Sequence, residues 1–266
     1  MITEDQVPER YRTIMQDQIR IYKQGRSITV KNSIPDTPQI PIENPKLWLR
    51  IPDVVCIFVD MLGSTKLSAE THDKGTAGAY QLFTGTAVKL FSEFESPYID
   101  VRGDGVFALF DSGQCYRAIA AAVTFKTFAK EEFTPRIKQT TGVEVGCHIG
   151  VDQKTVLVRK LGFKRHRGRS DRQNEVWAGK PVNMAAKLAA KTKDNELLVS
   201  DRFYKNVPNK LVRFSCGCPS GEKAPLWSDV DFKDDNRFDF DVAYLLKSNW
   251  CTKHGKEYCE SILALD

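Results

Sequence analysis

The chain has 266 residues, of which 41% are hydrophobic and 27% are charged, a balance that excludes disordered and fibrous proteins. No apolar run approaches the roughly 20 residues that a membrane-spanning helix needs, and the first residues lack the apolar centre of a secretory signal. We therefore expect a cytoplasmic protein with no membrane contact. The net charge of +5 is concentrated in residues 159–172, which predict a solvated loop or a basic flap near a polyanion. Nucleic acid is the weaker partner, because only Phe163 interleaves these charges.

The spacing of apolar residues predicts a helix over 8–24, and five prolines between residues 35 and 52 predict an extended linker. The predicted elements that follow are a strand over 54–62, a helix over 75–95, a hairpin over 98–110, an Ala-rich helix over 114–133, a strand pair over 142–161, a helix over 181–192, a strand over 196–200 and a last helix from 201. This order predicts an α+β fold of the ferredoxin-like, split βαβ type, with helices on one side of a sheet.

Three segments follow from this pattern. Residues 1–46 form an N-terminal helix and linker, residues 47–211 form the main compact domain, and residues 212–266 form a C-terminal extension without assigned regular structure.

The stretch "FVDMLGST" (58–65) places Asp60 at the end of a buried strand. Gly63, Ser64 and Thr65 then lead into a helix. A carboxylate can hold a cation here, while free backbone N–H groups hold phosphate oxygens. Alone, the same pattern is also typical of an ordinary helix cap.

The stretch "YIDVRGDG" (98–105) places a second acid, Asp104, in a tight Gly-Asp-Gly turn. Strand alternation puts Asp100, Arg102 and Asp104 on one face. Two acids on neighbouring strand tips predict a two-cation site of the kind used for phosphoryl transfer. A plain hairpin turn is the alternative for the Gly-Asp-Gly sequence, but it leaves the paired acid unexplained.

The stretch "VWAGKPVNMAAKL" (176–188) carries Asn183 and Lys187 four residues apart on a predicted helix, so both side chains lie on one face. An amide and an ammonium placed in this way can orient a sugar and neutralise a phosphate. The alternative is a solvated helix face.

In order and spacing, the three stretches resemble the motifs of the class III nucleotide cyclases, the adenylyl and guanylyl cyclase homology family, over residues 50–205. The resemblance implies that Asp60, Asp104 and the backbone of Met61 hold two divalent cations, Mn²⁺ or Mg²⁺. It also implies that the loop Gly63–Thr65 contacts the triphosphate of a nucleoside triphosphate substrate.

By the same resemblance, Asn183 positions the ribose. Lys187 stands where the family usually has an arginine that stabilises the transition state, and this exchange keeps the charge but loses the bidentate geometry. The family's active sites lie between two subunits, which implies a homodimer. The implied reaction is attack of the ribose 3′-oxygen on the α-phosphorus with loss of pyrophosphate.

The base specificity depends on two positions. Adenylyl cyclases have a lysine four residues before the second metal aspartate and an aspartate seven before the asparagine, and here these positions are Asp100 and Val176. ATP is therefore a poor candidate, because an anion faces adenine N1 and Val176 offers no acceptor. Arg102 beside Asp100 can read uracil, cytosine or guanine, or it can simply neutralise its acidic neighbours.

These departures resemble the pyrimidine cyclases of bacterial anti-phage defence, whose cyclic nucleotide acts on a separate effector. We take UTP as the expected substrate, with CTP and then GTP as alternatives. The non-enzymatic alternative is a cyclase-like dimer that only binds nucleotide.

Seven cysteines without a secretory signal indicate reduced thiols or metal ligands rather than disulfides. The tail holds Cys216, Cys218, Cys251, His254 and Cys259 within 44 residues. The C-x-C and C-x-x-H spacings are typical of a structural zinc site. The alternative is a set of thiols that pack the tail on the domain.

Overall fold

The computed structural model describes Thr3 and residues 5–266, so residues 1, 2 and 4 of the predicted N-terminal segment lie outside the described residues. The described chain forms two compact units. The first unit comprises the residues up to Ile51 together with Leu157–Ala178, and the second comprises Pro52–Val156 and Gly179–Asp266. The predicted segment boundaries after residues 46 and 211 stay predictions.

The helices of the described residues, in chain order, are α1 (Glu9–Lys23), α2 (Ser64–Glu70), α3 (Asp73–Glu93), α4 (Cys115–Phe128), α5 (Thr134–Thr141), α6 (Lys180–Ala189), α7 (Asp201–Lys205), α8 (Lys210–Arg213) and α9 (Gly255–Leu263). A π-helical turn, Ala129–Phe133, separates α4 from α5, so the predicted helix over 114–133 covers α4 and this turn, and α5 is not predicted. None of the described helices is both long enough and apolar enough to cross a membrane.

The strands are β1 (Ser27–Val30), β2 (Leu47–Leu62), β3 (Tyr98–Arg102), β4 (Gly105–Phe110), β5 (Gly146–Gly162), β6 (Gln173–Gly179), β7 (Glu196–Ser200), β8 (Trp227–Asp231) and β9 (Val242–Leu246). The predicted hairpin at 98–110 and the predicted strand at 196–200 are confirmed. The C-terminal extension, to which the sequence analysis assigns no regular structure, contributes β8, β9 and α9, and α8 spans its predicted start.

The predicted strand pair over 142–161 is wrong, because this segment forms the single strand β5. The sequence places a turn at its polar centre, but Asp152 is fully buried and accepts two hydrogen bonds from Arg202. Gln153 donates to the backbone carbonyl of Asp53 at 3.0 Å and accepts from Asn206 at 2.8 Å. Partners distant in sequence therefore let the strand continue through polar residues.

In the first unit, β1 pairs in parallel with the start of β2. The buried guanidinium of Arg159 donates to three backbone carbonyls within residues 42–45, and Lys164 pairs with Glu43. Two basic residues of the segment 159–172 thus take part in the unit's own contacts. The choice between a solvated loop and a polyanion flap stays open for this segment.

In the second unit, the strands follow the order β3-β4-β2-β5-β7-β9-β8. One face of this sheet carries the main core, formed with residues such as Phe83 of α3 and Phe125 of α4. The other face carries a smaller core, in which α6 contributes Met184 and Leu188 against Leu198 of β7. The prediction that helices lie on one side is therefore wrong for α6.

Residues of the C-terminal extension form hydrogen bonds with both ends of α4. The buried ammonium of Lys126 donates to Asn195, Asn249 and the backbone carbonyls of Lys247 and Ser248, at 2.7 to 3.1 Å. Burial lowers the pKa of Lys126 to about 8. At the other end of the helix, the carboxylate of Asp266 accepts hydrogen bonds from the first-turn backbone N–H groups.

Candidate active site

The two predicted metal-binding acids lie beside each other at the end of the β2–β4 ladder. Asp60 is paired with Gly105 across the two strands, and Asp104 precedes Gly105 in the hairpin turn. A Cβ atom at position 105 would lie 3.0 Å from Oδ1 of Asp60 and 2.8 Å from the ring of Phe58. The missing side chain of Gly105 therefore allows the turn to approach the Asp60 carboxylate.

The two acids also interact electrostatically. Burial first, and then the charge of Asp104, raise the pKa of Asp60 to about 6, while a backbone hydrogen bond from Met61 acts in the opposite direction. Half-buried carboxylates in repulsion are the donor set that a divalent cation stabilises. The residues present thus fit a cation site. Met61 can contribute only its backbone, because its side chain is buried in the main core.

The predicted phosphate loop lies directly after β2. Gly63 has a φ of +86°, and a Cβ atom there would lie 2.9 Å from the carbonyl oxygen of Glu144. Only glycine fits this left-handed turn without strain. It places half-buried Ser64 and exposed Thr65 in the first turn of α2, where backbone N–H groups lack helical acceptors.

Asp100 and Arg102 form an ion pair on the edge strand β3. The guanidinium nitrogen lies 2.6 Å from Oδ2 of Asp100, and the Arg102 side chain is 56% exposed. No donor in the described part of the chain reaches this buried oxygen in hydrogen-bond geometry. The pair is therefore a contact of opposite charges, in which Oδ2 of Asp100 is enclosed by the protein and faces Arg102.

The helix α6 packs directly on the backbone of β5 at Gly150. A Cβ atom at this position would lie 2.0 Å from the carbonyl oxygen of Ala185 and 2.5 Å from the backbone nitrogen of Ala189. The buried face of the helix is thereby fixed against the sheet. Asn183 and Lys187 lie on its exposed face.

The structure does not bring all the predicted residues into one cluster. Lys187 donates its ammonium hydrogen to the carbonyl oxygen of Arg237 at 2.8 Å, within the second unit. Asp60 and Asp104 lie on β2 and the β3–β4 turn, whereas α6 rests on β5 and β7. Val176 is half-buried on β6 and belongs to the first unit.

The sequence analysis missed the loop 232–240, which supports α6. Its Asp239 pairs with Lys180 at 2.7 Å, and its Asp235 pairs with Lys191 at 3.0 Å. Burial acts to raise the pKa of Asp239, but hydrogen bonds from Arg202 and Lys180 hold it below its usual range. The signal in the sequence is the alternation of phenylalanine and acid in "FKDDNRFDFD".

The comparisons with known proteins identify the family. No protein-family model matches the chain. A uridylate cyclase from Propioniciclava tarda is 37% identical over 230 residues, which cover 85% of this chain and 73% of that protein. A uridylate cyclase from Micromonospora echinofusca is 34% identical over 233 residues, which cover 86% and 74%. This chain belongs to the uridylate cyclase family.

The fold of this cyclase agrees with that assignment. The solved adenylyl cyclase CyaB from P. aeruginosa superposes on it with a TM-score of 0.60 and 15% identity, over 77% of this chain and 97% of that one. The predicted cyclase homology fold is therefore confirmed. The family also makes the protein a nucleotide cyclase, and not only a nucleotide-binding module.

The raised pKa of Asp60 predicts a pH-dependent stability in the absence of divalent cations. Ionised Asp60 lowers the stability of the folded state. This loss is absent below the unfolded pKa of about 3.8 and complete above the folded pKa of about 6. Asp60→Asn should therefore raise the free energy of unfolding at pH 8 by on the order of 1 kcal/mol after solvent screening, and by less at pH 5. Urea unfolding in EDTA measures both values.

Asp229→Asn is the matched control, because Asp229 is an exposed acid on β8. Asp229→Asn should show no increase in the free energy of unfolding that grows with pH. An equal effect of Asp60→Asn at both pH values would contradict the raised pKa of Asp60.

Proposed function

We propose that this cyclase converts UTP to 3′,5′-cyclic UMP and pyrophosphate at a site built around Asp60 and Asp104. The observation that carries the proposal is the close approach of these two carboxylates, which Gly105 permits, in a chain 37% identical to a uridylate cyclase. The side chains required for phosphoryl transfer are thus present together with a family relationship that favours a uridine nucleotide.

Asp60, Asp104 and the backbone of Met61 would hold two divalent cations, Mn²⁺ or Mg²⁺. When bound, the cations lower the pKa of the attacking 3′-hydroxyl and neutralise charge on the phosphate oxygens. The backbone N–H groups of Gly63–Thr65 bind the triphosphate oxygens at the start of α2. Asn183 orients the ribose, and Lys187 places a positive charge near the α-phosphorus.

We also propose that the active enzyme is a homodimer with two shared sites. In one chain, Lys187 binds the carbonyl of Arg237 rather than the acids, and Asn183 lies on the same exposed face of α6. A second copy that faces this helix with its own Asp60 and Asp104 completes each site. The symmetry of such a dimer makes the two sites equivalent.

The base specificity is assigned to Asp100 and Arg102, with Val176 unable to accept a hydrogen bond from an adenine amino group. The Asp100 side chain is 23% exposed, so its carboxylate can accept from uracil N3–H, and exposed Arg102 can donate to a uracil carbonyl. A guanine edge offers donors to Asp100 as well, so GTP is the alternative outside the pyrimidines. Uracil is preferred over cytosine on the family relationship.

The cyclic nucleotide would act as a second messenger on a separate effector in antiviral defence. This role stays a prediction from the family resemblance, and the cytoplasmic location stays a prediction from the sequence composition.

The substrate is tested by incubation with UTP, CTP, GTP and ATP in Mn²⁺ or Mg²⁺, with mass-spectrometric identification of the product. Cyclic UMP should dominate. Asp60→Ala or Asp104→Ala should abolish the product while the dimer still forms, because each removes charge from the cation site rather than from the core. Cyclic CMP or cyclic GMP as the main product would overturn the UTP assignment, and near-normal turnover of either variant would overturn the two-cation site.

Shared sites predict complementation between inactive variants. A mixture of Asp60→Ala and Lys187→Ala chains contains heterodimers with one intact site. With random pairing, half of the dimers are mixed and half of their sites are intact, so about a quarter of the wild-type activity should return.

A mixture of Asp60→Ala with Asp104→Ala is the matched control. Both changes affect the acidic half of the site, so no site is restored and the activity should stay absent. Heterodimers are verified with two affinity tags. If they form in the first mixture without recovery of activity, the shared-site arrangement is wrong.

The base-reading role predicts a selective loss in Arg102→Ala. Removal of one charged hydrogen bond, worth roughly 1.5–3 kcal/mol, should lower kcat/KM for UTP by about 10- to 150-fold. The ratios of kcat/KM among the four nucleotides should change. Arg136→Ala, which removes an exposed arginine paired with Glu132 on a helix, is the control and should leave these ratios unaltered. Unchanged ratios in Arg102→Ala would contradict base reading and would mean that Arg102 only neutralises its acidic neighbours.

A further inference from the structure

A second cluster of chemically active side chains lies in the C-terminal extension. The Sγ atoms of Cys216, Cys218 and Cys251 and a ring nitrogen of His254 all lie within 4.8 Å of one another. The Sγ atom of Cys218 lies 3.2 Å from Nδ1 of His254. All three cysteines are free thiols. Two chain segments separated by more than 30 residues thus converge on one point.

The first segment is a tight loop. Gly217, between the two cysteines, has a φ of +91°, and a Cβ atom there would lie 2.7 Å from the carbonyl oxygen of Gly221. The backbone nitrogen of Gly221 donates to the carbonyl oxygen of Gly217 at 2.6 Å. Glycine is therefore required for the turn that brings Cys216 and Cys218 to the same cluster.

The second segment is the start of α9. The carbonyl oxygen of Cys251 accepts a hydrogen bond from the backbone nitrogen of Gly255 at 2.7 Å, and His254 is the residue before the helix. A Cβ atom at position 255 would lie 2.9 Å from Cβ of Trp250, so this turn also depends on glycine. The hydroxyl of Tyr258 donates to the carbonyl oxygen of Ser215, which links the helix to the first loop.

We propose that Cys216, Cys218, Cys251 and His254 bind one structural Zn²⁺ ion. Three thiolates and one imidazole form a closed tetrahedral set of the kind found in structural zinc sites. Ligand atoms on a tetrahedral zinc lie about 3.5 to 3.8 Å apart, as the usual Zn–S and Zn–N distances require. The four ligand atoms lie at most 4.8 Å apart, and shifts of well under 1 Å for each side chain bring them to the tetrahedral distances.

Two features set this site apart from the catalytic cations. Its donors are sulfur and nitrogen, whereas Mg²⁺ and Mn²⁺ prefer oxygen. All four positions are filled by protein side chains, so no position is open for substrate. Cys259, the fifth candidate from the sequence, is not part of the cluster and packs half-buried against the main core.

The site has a mechanical role because the packing around it is incomplete. An apolar cavity of about 200 Å³ lies between α4, α8 and α9, lined by Ile119, Val123, Leu211 and Trp250 and bounded on one side by the cysteines. The zinc ion joins the loop after α8 to the start of α9 at this wall. It therefore holds α9 against α4 where side-chain contacts alone leave a gap.

The test uses the full-length Asp60→Ala/Asp104→Ala protein, so that any tightly held zinc belongs to the cysteine cluster. Elemental analysis after dialysis should give about one zinc per chain. Replacement by Co²⁺ should produce the visible absorption of a tetrahedral cobalt thiolate site. Removal of zinc with a strong chelator should lower Tm by on the order of 10 °C, and added Zn²⁺ should restore it.

Cys216→Ser should abolish the stoichiometric zinc and the cobalt thiolate spectrum, and Cys259→Ser is the matched control that should keep both. If Cys216→Ser does not fold, the proposal is tested by the cobalt spectrum of the Asp60→Ala/Asp104→Ala parent protein. The proposal is overturned if the parent protein contains no zinc and fails to bind Zn²⁺ or Co²⁺ on titration. It is also overturned if peptide mapping finds a disulfide among the three cysteines. Either result leaves the cyclase assignment unaffected.

Discussion

The backbone contact between α6 and β5 at Gly150 fixes the geometry on which the site depends. The carbonyl oxygen of Ala185 occupies the place where a side chain at position 150 would lie. The helix therefore has one possible depth against the sheet, and Asn183 and Lys187 project from a rigid support. Because β5 belongs to the same sheet as β2, the position of α6 relative to Asp60 is set within a single chain. A site assembled from two such chains needs this rigidity, since each subunit must present its half in register.

The C-terminal extension also supports α6. Phe232 and Phe240 pack against the apolar side of α6, and the carbonyl of Arg237 holds Lys187. Asp239 binds Lys180 and also Arg202, whose guanidinium reaches buried Asp152 on β5. This chain of charges connects the start of α6 to the sheet. Residues after 212 are thus part of the structural support of α6.

The sequence predicts the parts of the fold that local chemistry determines. Turn residues specify the β3–β4 hairpin, and apolar runs specify β7 and the second half of β2. The strand β2 begins at Leu47, seven residues before its predicted start. The adjacency of Asp60 and Asp104 follows from the same local pattern, and the structure places the two acids as neighbours. Non-local partners determine the rest. The continuity of β5 depends on Arg202 and Asn206, and the face on which α6 packs depends on the contact at Gly150.

The structure of the C-terminal extension could not be predicted from its own sequence, because it also depends on partners distant in the chain. Strands β8 and β9 are short. β9 pairs with β7 and β8 pairs with β9, so both depend on a strand outside the tail, which the tail's own sequence does not reveal. The convergence of Cys216 with Cys251 requires two distant turns to form together. For Arg102, the sequence leaves base reading and charge neutralisation open, and the observed ion pair with Asp100 is compatible with both.

The residues that bind both ends of α4 lie near the end of the described chain, and this has a consequence for its synthesis. Lys126 is a buried cation whose acceptor Asn249 follows 123 residues later, and the first turn of α4 is capped by Asp266, 150 residues after Tyr116. At translation rates of 5–20 residues per second, residue 249 follows roughly 6 to 25 seconds after Lys126. During that interval Lys126 lacks its acceptors at 247–249, although Asn195 is already made, and its ammonium stays hydrated because burial without these acceptors is costly. The burial of Lys126 and the capping of α4 by Asp266 are therefore among the last folding steps of the chain.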